Sequence, residues 1–163
     1  MDNNELINIL EYIGDFEEQR YRAMVIHATP EKGPSMTEFS KKVCKSMNGK
    51  YLDLLEVFIQ NKSLAEKIDI FSPEKLKDFL ISESTSEYLL LVDRADFLLD
   101  TWSKNDRQDF YQMIRDQWDG YKETMKPMLI FCLQTSQELE SLNITDSKGN
   151  QRVFRFTSFS DIA

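Results

Sequence analysis

The chain has 163 residues and a formal net charge of −8, with 28 acidic side chains against 20 lysines and arginines. That length suits one domain with a sizeable core, and a composition 41% hydrophobic and 29% charged excludes general disorder. The acidic balance argues against broad DNA binding, leaving any DNA contact indirect or confined to a local basic patch.

Two cysteines, Cys44 and Cys132, and one histidine cannot build a disulfide framework or a zinc site. No apolar run approaches the ~18–20 residues of a membrane span, so no membrane association is expected. The acidic, periodic N-terminus is unlike a signal peptide, which predicts a cytoplasmic protein.

In chain order, Leu6, Ile9, Leu10 and Ile13 stand at helical spacing, predicting an N-terminal helix within residues 1–20, ahead of the first core strand. "RAMVIHA", 22–28, reads as a buried strand closed by Thr29-Pro30. A helix follows with Met36, Phe39, Val43 and Met47 on one face, stopped by Asn48-Gly49. "KYLDLLEVF", 50–58, is predicted as a second strand. After a polar connector, "SPEKLKDFLISES" opens a helix with a serine cap and a proline at its first position.

"EYLLLVD", 87–93, is apolar until its closing aspartate, as in strands buried on both faces. "SKNDRQDFYQMIRDQWDG" reads as a helix capped by Ser103 and Asp106 and stopped by Gly120, with Phe110, Met113, Ile114 and Trp118 facing inward. "PMLIFCLQTS", 127–136, is a buried strand with a polar end; "QELESL" is a short helix, and "RVFRFTSF" the last strand. Five strands alternating with helices predict a single α/β domain over 1–163 with a mostly parallel sheet. The strand at 87–93 is expected to be central, beside 128–134 or 23–28. Ligands in such sheets bind past the carboxyl ends of the strands, here His27 to Ser35, Asp93 to Asp96 and Gln134 to Ser136.

The segment "ATPEKGPS" lies between the first strand and its helix, where a P-loop carries G-x-x-x-x-G-K-[S/T]. The glycines let backbone N–H groups close round phosphates, the lysine neutralises them, and the hydroxyl holds magnesium. In this frame Gly33 and Ser35 match, whereas Ala28 and Pro34 replace the first glycine and the lysine. The candidate phosphate loop is Thr29, Pro30, Glu31, Lys32, Gly33, Pro34, Ser35 and Met36, with Lys32 as a substitute cation. The order of elements follows an additional-strand P-loop ATPase. Asp93 ends the acidic strand, Arg94 stands where a water-activating glutamate is usual, and the strand at 127–136 ends in polar residues. The predicted class is a three-layer P-loop NTPase-like fold.

In size, layout and the strand-ending "LLLVDRADFLL", the chain resembles the BrxF family, small P-loop-containing proteins of BREX type 3 phage-defence systems. The resemblance implies ATP-dependent work in a bacterial defence assembly, with ATP or ADP and magnesium as cofactors and other defence-system proteins as partners. It places Gly33 and Ser35 in the phosphate loop, Ser35 and Asp93 at the magnesium, and Thr135 as the sensor of the terminal phosphate. Departures at Ala28, Pro34 and Arg94 predict weak or no hydrolysis by the isolated chain, any ATPase activity depending on partners or a homo-oligomer.

Other readings remain open. The chain could be an interaction module that keeps the fold without the nucleotide. Alternatively, Asp53, Asp93 and Asp96 could form a magnesium cluster for phosphotransfer or nuclease chemistry. His27 is expected to make a local hydrogen bond. Arg152 and Arg155 read as the solvent face of an edge strand, with arginine fingers as the alternative, and Trp102 and Trp118 as core.

Overall fold

The computed structural model describes residues 6–84, 88–121 and 127–162; Glu87 of the predicted third strand and residues 1–5 of the N-terminal segment lie outside them. Helix α1, Ile9–Phe16, is capped by Asn8, whose side chain accepts from the N–H groups of Leu10 and Glu11. Strand β1 is Ala23–Ala28, buried throughout. A 3-10 turn, Pro30–Lys32, runs directly into α2, Gly33–Met47. Asn48 (φ 55°), rather than Gly49, takes the left-handed position that ends α2, and Gly49 N donates to Cys44 O.

Strand β2 is only Lys50–Asp53, shorter than the predicted 50–58. The rest of that apolar run is α3, Leu54–Gln60, because the Asp53 carboxylate caps it by accepting from Glu56 N. Leu54 and Phe58, one helical turn apart, both bury. The predicted polar connector holds α4, Lys62–Glu66, and a second 3-10 turn. Helix α5, Pro73–Glu83, starts at the expected serine, Ser72 Oγ accepting from Lys75 N.

Strand β3, Leu89–Asp93, is followed by α6, Asp96–Thr101, and α7, Lys104–Asp116, the latter capped by Ser103. Strand β4 is Met128–Gln134, α8 is Gln137–Ser141, and β5 is Val153–Arg155, cut short by a 3-10 turn at Phe156–Ser158.

The strands form one sheet in the order β2-β3-β4-β1-β5, and every pairing is parallel. β3 is internal and next to β4, while β4 itself is the middle strand. Alternation along the strands sorts side chains into two cores. Met24, Ile26, Leu89, Leu91, Ile130 and Cys132 pack with α1 and α2. Ala23, Val25, Leu90, Val92, Leu129 and Phe131 pack with α3, α5, α6 and α7. The result is a three-layer α/β fold of the P-loop NTPase-like kind, with Trp102, Phe110, Met113, Ile114 and Trp118 all in the second core. Among the described residues, no helix is long and apolar enough to cross a membrane.

Arg152 departs from the solvent-facing expectation. It is 2% exposed, and its guanidinium donates to the carbonyls of Tyr21, Ala23, Ile114, Arg115 and Thr145. Two of these belong to the last turn of α7, where helical carbonyls lack partners and the helix dipole favours a cation. Burial lowers the Arg152 pKa below its ordinary value. Arg155 is exposed and paired with Glu140 at 2.6 Å.

Candidate functional site

The carboxyl ends of β2, β3, β1 and β4 bring together most of the residues singled out by sequence. Asp93 is 2% exposed on the α2 side of the sheet. Its Oδ2 accepts from Thr37 Oγ1 at 2.7 Å and from Tyr51 Oη at 2.6 Å, and its Oδ1 accepts from Arg94 N at 2.9 Å. Burial first, and then the Asp93 hydrogen bond and charge, raise the Tyr51 pKa, so the phenol stays a donor.

The hydroxyl beside Asp93 is therefore that of Thr37, two residues beyond the expected Ser35, which is exposed on the first turn of α2. Setting the P-loop pattern so that its hydroxyl falls on Thr37 puts Pro30 and Ser35 at the glycines and Met36 at the lysine. Met36 is 4% exposed and packs in the core under α2. Thr37 stands one turn before the buried Ser40, on the flank of the sheet-facing side of α2, a placement that the motif spacing does not give.

The loop itself is wound up. Lys32 N donates to Thr29 O, and Gly33 N donates to Pro30 O. Gly33 has ordinary right-handed helical angles, φ −53° and ψ −50°, so its special freedom is unused. Thr29 Oγ1 donates to Glu31 Oε1 at 2.6 Å, and this bond is the main cause lowering the Glu31 pKa, which keeps a negative charge in the loop. Pro34 has no N–H to offer. These residues do not fit a nucleotide's phosphates: Lys32 N and Gly33 N are engaged within the turn, the lysine position is apolar, and Glu31 would repel an anion.

Arg94 has φ 58°, uncommon for a residue with a side chain. Its guanidinium holds Asp53 through Nε at 3.0 Å and also through Nη2. Asp53 and Asp93 are direct neighbours across the β2–β3 register, and the Arg94 cation offsets their repulsion. Asp96 turns to the other side of the strand end, where its Oδ1 accepts from Gln134 N at 2.8 Å; burial raises its pKa. Each of the three aspartates thus has its own partners. Among the described residues, no group of three or more His, Cys, Asp or Glu could hold a metal ion.

On the β1 side, a cleft of about 290 Å³ is lined by His27, Thr29, Lys32, Thr135 and Arg155 among others. His27 Nδ1 and Thr135 Oγ1 share a hydrogen bond of 2.8 Å, the local bond expected for this histidine. Thr135 N donates to Ala28 O, which closes β4 against β1. Burial lowers the His27 pKa below 6.5. A histidine held neutral in the folded state stabilises above its unfolded pKa, and that stability is lost as pH falls through the folded pKa. The urea midpoint should accordingly fall between about pH 7.5 and pH 5, and less so in His27→Gln. An equal fall in both proteins would assign the effect to other groups.

No protein-family model matches the chain, and neither does any curated protein sequence.

Proposed function

We propose that the chain is a protein–protein interaction module that keeps the three-layer fold of P-loop proteins and has given up the nucleotide. One observation carries this reading: the Asp93 carboxylate, the residue a P-loop protein reserves for magnesium-bound water, is taken by Thr37, Tyr51 and its own neighbour's N–H. An ionised carboxylate has about four acceptor positions, and three are used inside the protein. The wound loop and the apolar Met36 support the same reading from the phosphate side. The resemblance in size and in "LLLVDRADFLL" supports placing the module in the cytoplasm, within a bacterial phage-defence assembly.

Thermal unfolding with and without millimolar magnesium–ATP tests the reading. A nucleotide at a hundredfold excess over its Kd would add about 2.7 kcal/mol, roughly 5–11 °C for a chain of this size. The expected shift is below about 1 °C. A shift above about 2 °C that disappears in Thr37→Ala would restore the nucleotide-binding reading.

A further inference from the structure

A cavity of about 760 Å³ lies away from the polar strand ends, between α1 and the turn that precedes β5. Its floor is aromatic. Tyr12 stacks on Phe16 at 5.4 Å and meets Phe154 edge-on at 5.2 Å. Tyr12 Oη donates to Gln151 O at 2.8 Å, tying the helix to the turn. Around this floor stand the carboxylates of Asp15, Glu18 and Asp146, against one lysine, Lys148. Asp146 holds the turn by accepting from the N–H groups of Lys148 and Asn150, whereas Asp15 and Glu18 are exposed.

Gly14 also lines this groove, inside α1. Glycine is the poorest helix former after proline, so its place there calls for a reason. It does not have positive φ, and a Cβ built on it would meet no atom within 4 Å. Neither backbone strain nor close packing requires it. What the bare position does is leave the groove open along the helix wall.

We propose that this groove docks an arginine-bearing segment of a partner protein, the guanidinium lying over the Tyr12–Phe154 floor and facing Asp15 and Glu18. Charge complementarity selects the occupant: three carboxylates to one lysine at the groove, on a chain of net charge −8. A planar guanidinium suits an aromatic floor better than an ammonium does, because it stacks and is more weakly hydrated. The assignment deepens the interaction-module reading and rests on it.

Selection of random displayed peptides on the full chain tests it. Enriched peptides should carry arginine beside an apolar residue. Fluorescence polarisation with one such labelled peptide should show binding weakened at least about tenfold by Gly14→Leu, which fills the groove. The exposed double variant Asp15→Lys/Glu18→Lys should weaken it by a similar factor, and added salt should weaken binding to the unaltered chain. The double variant keeps the test intact if Gly14→Leu unfolds the helix. Absence of enrichment, peptides without a basic residue, or binding unchanged in the folded variants would overturn the proposal. So would a dimer of the chain dissociated by the same substitutions, which would give the groove to a second copy. Failure here beside an absent magnesium–ATP shift removes only this groove, whereas a magnesium–ATP shift lost in Thr37→Ala removes the reading beneath it.

Discussion

Arg152→Met should destabilise the protein by about 3–5 kcal/mol, the range for breaking a buried charged network. The methionine can fill much of the aliphatic volume, so the loss comes from the carbonyls left behind. Ile114 O and Arg115 O lie in the last turn of α7, where the helix supplies no donor, and Tyr21 O and Thr145 O lie in connecting segments. Each buried carbonyl without a partner costs roughly 1–3 kcal/mol. Arg152→Lys should recover little, because one ammonium has three donors and lacks the fixed fork that reaches several elements at once. Thermal and urea unfolding of both variants measure the loss, with a fall in melting temperature on the order of 10 °C for methionine. A loss below about 1 kcal/mol in both would mean that water replaces the guanidinium without penalty.

Asp93→Ala is expected to cost about 2–4 kcal/mol, and the direction of its effect matters as much as its size. As the acceptor for Thr37, Tyr51 and Arg94 N, the carboxylate joins α2, β2 and the residue after β3. Without it, two hydroxyls lose their acceptor and the left-handed Arg94 loses a bond that helps hold its backbone. A carboxylate kept for a metal would behave oppositely, since removing a buried functional charge is commonly neutral or stabilising. Tyr51→Phe should cost less, about 1–2 kcal/mol, because only one of the three bonds is lost. Chemical denaturation of the two variants separates the cases: an Asp93→Ala protein as stable as the original would return Asp93 to the nucleotide reading.

Much of the fold was readable because it is written in runs and caps. Leu89 to Val92 and Met128 to Leu133 are apolar throughout because both faces of a parallel strand are covered, and Ser72 and Ser103 mark helix starts through the bonds they accept. The stretch 50–58 departs from its predicted strand for a physical reason. Leu54, Leu55, Val57 and Phe58 suit a strand by type, whereas the cap at Asp53 and the burial of Leu54 and Phe58 one turn apart hold them as a helix. The site was half legible. Asp93 and Thr135 lie where the strand ends predicted, but Thr37 depends on the rotation of α2 over β3, which the motif frame does not contain. Arg152 carried no signal, since backbone carbonyls at Tyr21, Ile114 and Thr145 leave no mark in side-chain type.

The middle strand arrives late. β1 and β3 do not pair with each other; each pairs with β4, so the gap between them waits for residues 128–134. A nascent chain that has reached α7 carries β1, β2 and β3 without the strand that joins them, so the β4-facing edges of β1 and β3 have no partner. At about 5–20 residues per second, that exposure lasts on the order of seconds before β4 can enter and join the two halves. β4 therefore joins the two halves before β5 covers the far edge of β1, and a chain broken off before Met128 leaves β1 and β3 without the strand between them.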